Sequence, residues 1–209
     1  MKKKAAVINL GCPKNQVDSE VITGLLSRSF LITPDPAEAQ IIVVNTCGFI
    51  EDAKKESIEN ILEFANLKKE GQIQKIIVTG CLAQRYQEEL VAELPECDGV
   101  LGLGANGDIV AAVQAVMGGE KLARFPDRSC WQLDGDRLQT TPHFFAYLRV
   151  GDGSNNCCSY CVIPQIRGNF RSRPVGSVVA EVTRLAAAGV KEINLVAQDT
   201  TSYGRDLYG

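Results

Sequence analysis

Three cysteines each follow an apolar stretch in the first half of the chain. The stretches AAVINLGC, IIVVNTC and KIIVTGC end at Cys12, Cys47 and Cys81. If these stretches are parallel strands, all three sulfurs lie at the carboxyl edge of one sheet, where open α/β sheets bind ligands. Soft thiolates select iron-sulfur clusters or zinc over hard cations. The spacing therefore predicts a three-thiolate site, and an iron-sulfur cluster with one iron open to an external ligand is the first hypothesis.

A second cysteine group lies downstream, in the segment SNNCCSYCVIP. It contains Cys157, Cys158 and Cys161. We call these the downstream cysteines, and Cys12, Cys47 and Cys81 the amino-terminal cysteines. Two groups of three thiols in one chain predict two iron-sulfur clusters.

The composition limits the classes of protein to which the chain can belong. Its 209 residues include eight cysteines, carry a formal net charge of −3 and are 45% hydrophobic, as is ordinary for a soluble globular protein. The acidic balance argues against direct nucleic-acid binding. No run approaches transmembrane length and no signal peptide is evident, so we expect a cytoplasmic protein without a membrane partner. In that reducing compartment cysteines serve as metal ligands, redox groups or core residues; we interpret Cys97 and Cys130 as structural.

Strand and helix patterns alternate over the first ~120 residues. We predict strands at residues 4–10, 40–46 and 74–79 and in DGVLGLG. The helices are DSEVITGLLSR from Asp18, DAKKESIENILEFANLKK, QRYQEELVAEL and DIVAAVQAVMGG. This order predicts an α/β fold, with a parallel sheet covered by helices on both faces.

The alternation stops between residues 120 and 142, which are polar and rich in turn residues. We predict a connector there, with a hairpin at DGDR. A strand in FFAYLRV, a helix in VVAEVTRLAAAG and a strand in KEINLVAQ then begin a second unit. The predicted organisation is an amino-terminal domain at 1–122, a connector at 123–142 and an incomplete second domain at 143–209.

The downstream segment GDGSNNCCSYCVIP is similar to a family signature. With a cysteine at position 154 it would read C-x-x-x-C-x-x-C, so it resembles the cluster motif of radical S-adenosylmethionine enzymes. In that family three thiolates hold a 4Fe-4S cluster, whose fourth iron binds S-adenosylmethionine and cleaves it reductively to a 5'-deoxyadenosyl radical. The resemblance implies that Cys158 and Cys161 are cluster ligands and that Tyr160 packs near the adenine.

The segments GCPKNQVDSE, NTCGFIEDAKKESIE and VTGCLAQRY resemble the methylthiotransferases of this family. Those enzymes hold another 4Fe-4S cluster on three cysteines, matched here by the amino-terminal cysteines. CGFIEDAKKES and VAQDTTSYGRDLYG are similar to the branch that modifies an aspartate of a small-subunit ribosomal protein of the uS12 type. The alternative branch modifies adenosine in transfer RNA.

This resemblance implies a methylthiotransferase amino-terminal domain followed by the start of a radical S-adenosylmethionine partial (βα) barrel. It implies as partners the ribosomal protein and an electron-donor protein. We expect the 209 residues to represent about half of such an enzyme, without the later barrel strands and a carboxyl-terminal domain.

The chain departs from the radical motif at its first position, which is Ser154, and has an additional Cys157. A serine hydroxyl has a far higher pKa than a thiol and is a poor ligand for iron. Cys157 is an awkward substitute, because adjacent residues of an extended chain point to opposite sides. We therefore predict that the chain as written does not generate the radical, even with its amino-terminal cluster in place.

Two other classes of protein compete with this assignment. GLGANG, at residues 102–107, fits the G-x-G-x-x-G pattern of nucleotide-binding Rossmann proteins. It belongs to the last βα unit rather than the first, which favours a tight turn. A noncatalytic zinc or iron-sulfur module is the second alternative. The segment RGNFRSR could contact a cofactor carboxylate or a partner, or form a solvated basic loop.

Overall fold

A six-stranded parallel sheet forms the first part of the protein, for which a computed structural model describes residues 2–209. The strands occur in the order β2-β1-β3-β4-β5-β6, and every neighbouring pair is parallel. The predicted α/β fold is therefore confirmed. The elements are β1 (Lys4–Asn9), α1 (Pro13–Ser27), β2 (Leu31–Ile32), β3 (Ile41–Thr46), α2 (Glu51–Lys69), β4 (Lys75–Gly80), α3 (Cys81–Glu93), β5 (Gly99–Leu101), α4 (Ile109–Met117) and β6 (Leu122–Arg124).

Helices cover both faces of this sheet. Successive strand residues point to opposite faces, so Ile42 and Val44 pack in one cluster with residues of α2 and α3. Ile41 and Val43 pack in another, with residues of α1 and α4. All six residues of β3 are buried, as expected for a central parallel strand. None of the helices between residues 2 and 209 combines the length and apolar character needed to cross a membrane.

Helix α1 begins earlier than predicted, and this places a cysteine at its start. We expected the helix from Asp18, but it begins at Pro13, with Cys12 as its extended N-cap residue. Proline is favoured in the first turn of a helix because its φ is already helical and its missing N–H would have no partner there. The residues between Cys12 and Asp18 therefore form the first turns of α1 rather than a loop.

Two short strands were not predicted. Strand β2 has two residues and β6 has three, too few to show a period of hydrophobic residues. Strand β6 pairs with β5 and extends the sheet through residue 124, so it crosses the predicted boundary at residue 122. The predicted hairpin at DGDR is wrong, because residues 134–137 form no strand.

The second unit contains a parallel strand–helix–strand arrangement, as predicted. Its elements are β7 (Phe145–Arg149), β8 (Gly151–Asp152), α5 (Ile163–Arg167), β9 (Arg171–Ser172), α6 (Val175–Ala187), β10 (Glu192–Val196) and α7 (Arg205–Tyr208). Strands β7 and β10 are parallel neighbours, and Leu185 of α6 packs against Ala146 and Leu148 of β7. The short strands β8 and β9 pair antiparallel and flank the downstream cysteine loop.

Candidate metal and cofactor site

The amino-terminal cysteines all lie at the carboxyl edge of the first sheet. Strands β1, β3 and β4 are paired so that Asn9 lies beside Asn45, and Asn45 beside Thr79. Each strand reaches its cysteine within three residues of that row. This placement follows from the parallel register and is the one that the apolar stretches predicted.

Two of these cysteines lie at the amino-terminal ends of helices. Cys12 is the N-cap residue of α1, and Cys81 is the first residue of α3. The unpaired N–H groups of a first helical turn give it a partial positive charge, which stabilises an anionic group bound beside it. Cys47 is held differently: the buried Ser57 hydroxyl of α2 accepts from its backbone N–H and donates to its carbonyl, each at 3.1 Å.

Two glycines allow the three cysteine loops to approach one another. Gly11 has φ +117, and a Cβ at this position would lie 2.8 Å from Cys47 Cβ and 3.3 Å from its sulfur. A Cβ at Gly48 would lie 2.7 Å from the backbone of Leu82, next to Cys81. Any side chain at either position would push the loops apart, so glycine is required by the close packing of the site.

The pKa of the Cys81 thiol reflects its burial and its neighbours. Burial is the main cause that raises this pKa to about 11, with smaller contributions from Cys12 and Cys47, while the nearby Arg167 lowers it. Among residues 2–209 no three His, Cys, Asp or Glu side chains converge on a point that would hold a single metal ion. A cubane cluster instead takes its thiolates on different irons, and three neighbouring thiols at one cavity provide the soft donors that it requires.

The amino-terminal cysteines line the same cavity as Cys158 and Cys161 of the downstream cysteines, and its volume is ≈ 490 Å³. This volume lies within the range of sites for small molecules and cofactors. Its wall is formed largely by apolar side chains, with a few polar ones. Besides the amino-terminal cysteines, the lining includes Phe49, Ile50, Ser154, Cys158, Cys161, Ile163, Arg167, Lys14 and Gln198. The structure thus brings together residues that are separated by more than a hundred positions in the sequence.

Ser154 lies on this cavity, whereas Cys157 does not. Ser154 is 9% exposed; its N–H donates to the Gly168 carbonyl at 3.0 Å and its hydroxyl oxygen accepts from the Asn156 N–H at 3.1 Å. Cys157 is exposed and lies outside the lining residues. A serine thus lies on the cavity at the position that the radical motif assigns to its first thiolate ligand.

The other residues of the downstream motif lie at the mouth of the cavity. Cys158 and Cys161 line it and are joined by a turn in which the Cys161 N–H donates to the Cys158 carbonyl at 3.1 Å. Tyr160 also lines the cavity, and 83% of its surface is exposed. Its predicted packing against a bound cofactor remains a prediction.

The arginines of RGNFRSR do not form a solvated loop. Arg167 and Arg173 are each only 2% exposed. Arg167 donates from Nη1 to Asp152 Oδ2 at 2.8 Å, and from Nη2 to Asn15 Oδ1 at 2.8 Å and Asp18 Oδ2 at 2.9 Å. Because Asn15 and Asp18 belong to α1, Arg167 joins the second unit to the helix that begins at Cys12.

Asp18 lies at the centre of this buried network. It pairs with both Arg149 and Arg167, and its Oδ1 accepts from the Trp131 indole N–H at 2.8 Å. Burial alone would raise the pKa of Asp18, but the charges of Arg149 and Arg167 outweigh it and hold the pKa below its ordinary value. Asp18 is therefore ionised at neutral pH.

A second ionic network holds the connector against both units. Arg137 pairs with Glu20 of α1, and its Nε lies 2.8 Å from Glu181 Oε1 of α6. Arg173 approaches the other oxygen of Glu181 at 2.5 Å. The Thr140 N–H donates to Glu20 Oε1 at 2.9 Å. The connector is thus an ordered part of the interface between the two units.

The GLGANG segment is a tight turn. Leu103 N–H donates to the Gln84 side-chain oxygen at 2.9 Å, so this backbone donor is already used. A Cβ at Gly104 would lie 2.8 Å from the carbonyl oxygen of Pro126. Glycine is needed here because the connector packs directly against the turn, which supports the tight-turn interpretation over a phosphate-binding loop.

A protein-family model matches the amino-terminal half of the chain, and curated relatives match nearly all of it. Residues 4–102 match the Uncharacterized protein family UPF0004. The whole chain is 49% identical to the ribosomal protein uS12 methylthiotransferase RimO of Geotalea uraniireducens over 212 residues, which is 47% of that relative. The RimO of Desulfitobacterium hafniense is 46% identical over 100% of this chain and 47% of its own length. The RimO of Desulforamulus reducens is 51% identical over 97% of this chain and 46% of its own length.

The chain resembles the RimO proteins. The predicted resemblance to the methylthiotransferases is confirmed, since these identities extend over nearly all of its residues. The chain spans about half the length of the curated relatives it matches.

Sequence reasoning missed the buried ionic groups of the chain. Asn15, Asp18, Arg149 and Asp152 are all at most 2% exposed, yet we interpreted Asp18 only as the start of a helix. Asp18 lies one position after Val17 and three before Val21, both of them buried. An acid on the apolar side of a helix requires a buried basic partner. That pattern was the available signal, but the sequence does not identify the partner.

Proposed function

We propose that this chain is the cofactor-binding part of an enzyme that adds a methylthio group to an aspartate of ribosomal protein uS12 by radical S-adenosylmethionine chemistry. The observation that carries the proposal is the cavity of ≈ 490 Å³ that the amino-terminal cysteines share with Cys158 and Cys161. Transfer of sulfur to an unactivated carbon requires a radical source and a sulfur-bearing centre within reach of one substrate atom. The relatives' printed function, methylthiolation of uS12, provides the substrate class.

The amino-terminal cysteines would hold one 4Fe-4S cluster at the carboxyl edge of the sheet. Cys158 and Cys161 would supply two ligands of a second cluster at the other side of the cavity, where Ser154 replaces the third. Bound S-adenosylmethionine supplies the radical from one molecule and the methyl group from another. Tyr160, which lines the cavity, would cover the adenine.

The chain's own residues prepare the cavity for this chemistry. Phe49, Ile50 and Ile163 provide an apolar wall that limits the access of water to reactive groups. The first turns of α1 and α3 direct partial positive charge toward Cys12 and Cys81. The protein thus supplies donors, charge and enclosure, while the cofactors supply the reaction.

We propose the cytoplasm as the compartment, with the uS12 protein and an electron-donor protein as partners. All eight cysteines are free thiols, as is usual for a reducing compartment. Zinc binding without catalysis is the competing function, because Ser154 deprives the downstream group of a thiolate. Iron and acid-labile sulfide in the reconstituted protein would support the cluster, whereas stoichiometric zinc without sulfide would support the competitor.

In cells whose full-length enzyme carries this region with a cysteine at position 154, deletion of the gene for that enzyme should abolish the methylthio group on the uS12 aspartate. The segments after Cys47 and around Asp199 are similar to the protein-modifying branch, so the substrate should be a protein. Mass spectrometry of ribosomal proteins and of digested transfer RNA from the same cells measures both candidates. Unchanged uS12 together with loss of methylthio-adenosine would assign the chain to the RNA-modifying branch instead.

The unaltered chain should release no more 5'-deoxyadenosine than a Cys158→Ala, Cys161→Ala variant, because the Ser154 hydroxyl does not ionise to bind iron as a thiolate does. Ser154→Cys should raise the iron content from about four to about eight per chain, as a second cluster is completed. Anaerobic reductive assays with S-adenosylmethionine, with iron analysis of the same samples, measure both quantities.

The matched control is Cys157→Ala, which removes an exposed thiol outside the cavity. It should leave the iron content of the Ser154→Cys variant unchanged. Radical cleavage by the unaltered chain that disappears in Cys157→Ala would show that Cys157 replaces the missing thiolate, contrary to the position of Ser154 on the cavity.

A further inference from the structure

Arg167 is a buried residue of the second unit that reaches the amino-terminal cysteines. It ends α5, is 2% exposed and lines the same cavity as Cys12 and Cys81. The side-chain oxygen of Asn15 accepts from Arg167 Nη2 at 2.8 Å and lies 3.6 Å from the Cys81 sulfur. The guanidinium and the sulfur therefore share a contact atom.

The buried network around Arg167 contains equal numbers of positive and negative side chains, but only one of them reaches the cavity. Two arginines, Arg149 and Arg167, pair with two acids, Asp18 and Asp152. Of these four residues only Arg167 lines the cavity. The network is neutral as a whole, and its positive end faces the cysteines.

Arg167 keeps its charge in this setting. Burial would lower its pKa, but Asp152, Cys81, Asp18 and Cys12 together raise the pKa well above its ordinary value. A guanidinium does not lose its proton in proteins. Its rigid fork is fixed by three hydrogen bonds at 2.8 Å to 2.9 Å, so the charge cannot move away from the sulfurs.

We propose that Arg167 is a positioning residue that raises the reduction potential of an iron-sulfur cluster held by the amino-terminal cysteines. This inference rests on the proposed cluster at those residues. Reduction adds one negative charge to the cluster, and a fixed positive charge beside it stabilises the reduced form, more strongly in a poorly hydrated pocket than in water. Groups beyond the ligands tune metal centres in this way.

The position of Arg167 in the chain links the reduction potential of the cluster to the contact between the two units. Arg167 belongs to the second unit, whereas the cysteines belong to the first. The potential of the amino-terminal cluster therefore depends on the docking of the second unit against α1. Arg167 is the side chain through which the second unit would affect the cluster of the first unit.

The test is a redox titration followed by electron paramagnetic resonance after anaerobic reconstitution. All samples carry Cys158→Ala and Cys161→Ala, so that only the amino-terminal cysteines bind a cluster. Arg167→Gln should shift the midpoint potential to a more negative value. Arg167→Lys, which keeps the charge, should recover most of the shift, and a purely structural role would not produce this recovery.

Arg149→Gln is the matched control, because Arg149 is equally buried and also pairs with Asp18 but does not line the cavity. Its shift should be clearly smaller than that of Arg167→Gln. The double variant Asp152→Asn, Arg167→Gln leaves no unpaired Asp152 and preserves the net charge, which guards against failure to fold. It should show a negative shift that is smaller than that of Arg167→Gln, because loss of the more distant Asp152 carboxylate offsets part of the effect.

Equal potentials in all variants, or equal shifts in Arg149→Gln and Arg167→Gln, would overturn the role of Arg167 and leave the cluster assignment standing. If the Cys158→Ala, Cys161→Ala protein with Arg167 intact forms no cluster, both the proposed function and this inference are overturned.

Discussion

Replacing Asp18 with asparagine should destabilise the folded protein by about 3–5 kcal/mol, the usual effect of removing one partner from a buried ion pair. Asp18 is fully buried and bonds to Arg149, Arg167 and Trp131. Arg167 would retain Asp152, but the completely buried Arg149 would lose the only acidic partner that it has among residues 2–209. Urea denaturation at neutral pH, followed by Trp131 fluorescence, measures the change in the free energy of unfolding.

Glu38→Gln is the control for the loss of a carboxylate as such. Glu38 pairs with Lys4 on the surface, and exposed pairs add little to stability.

Because the pKa of Asp18 is lowered in the folded protein, the contribution of Asp18 to the free energy of unfolding is present above the unfolded-state pKa and disappears as the pH falls through the folded-state pKa. The difference between Asp18→Asn and the unaltered protein should shrink in that acidic range. A loss at neutral pH no larger than that of Glu38→Gln would contradict the account of this network.

The sheet and the placement of the amino-terminal cysteines could be predicted because both depend on local patterns. The runs before Cys47 and Cys81 are continuous and apolar, and such runs in alternation with helices are typical of buried parallel strands. Parallel strands have their carboxyl ends at one edge. The cysteines that follow them then lie near one another without any knowledge of long-range contacts.

The boundaries of α1 and the sheet were less predictable. Pro13 was not recognised as the first residue of α1, although proline is favoured there. Strand β6 depends on pairing with β5 and contains only three residues. Only Leu122 of this strand has a large apolar side chain, so the partner strand rather than the local pattern determines its structure.

The common cavity and its buried ionic network required the three-dimensional structure. The sequence separates Asp18 from Arg149 by 131 positions and from Arg167 by 149. Ion-pair partners at such distances leave no periodic pattern. The segment containing Arg167 was equally compatible with a solvated loop, because composition alone does not distinguish a surface arginine from a buried one.

Replacing Cys12, Cys47 and Cys81 together with serine should abolish cluster binding by the amino-terminal site. The three thiols line one cavity, so the substitution removes all three soft donors that these cysteines supply at this edge of the sheet. Cys97→Ser is the matched control. Cys97 is also buried, and burial raises its pKa to about 12, but it lies outside the cavity.

The content of iron and acid-labile sulfide, measured after anaerobic reconstitution, tests the central claim most directly. The protein with Cys158→Ala and Cys161→Ala should bind about four irons and about four sulfides per chain, with the broad visible absorption of a 4Fe-4S cluster. Adding Cys97→Ser should preserve these values, and adding the triple serine substitution should reduce them to background. Iron and sulfide that remain after the triple substitution, or their absence from the protein with all three amino-terminal cysteines intact, would contradict the account.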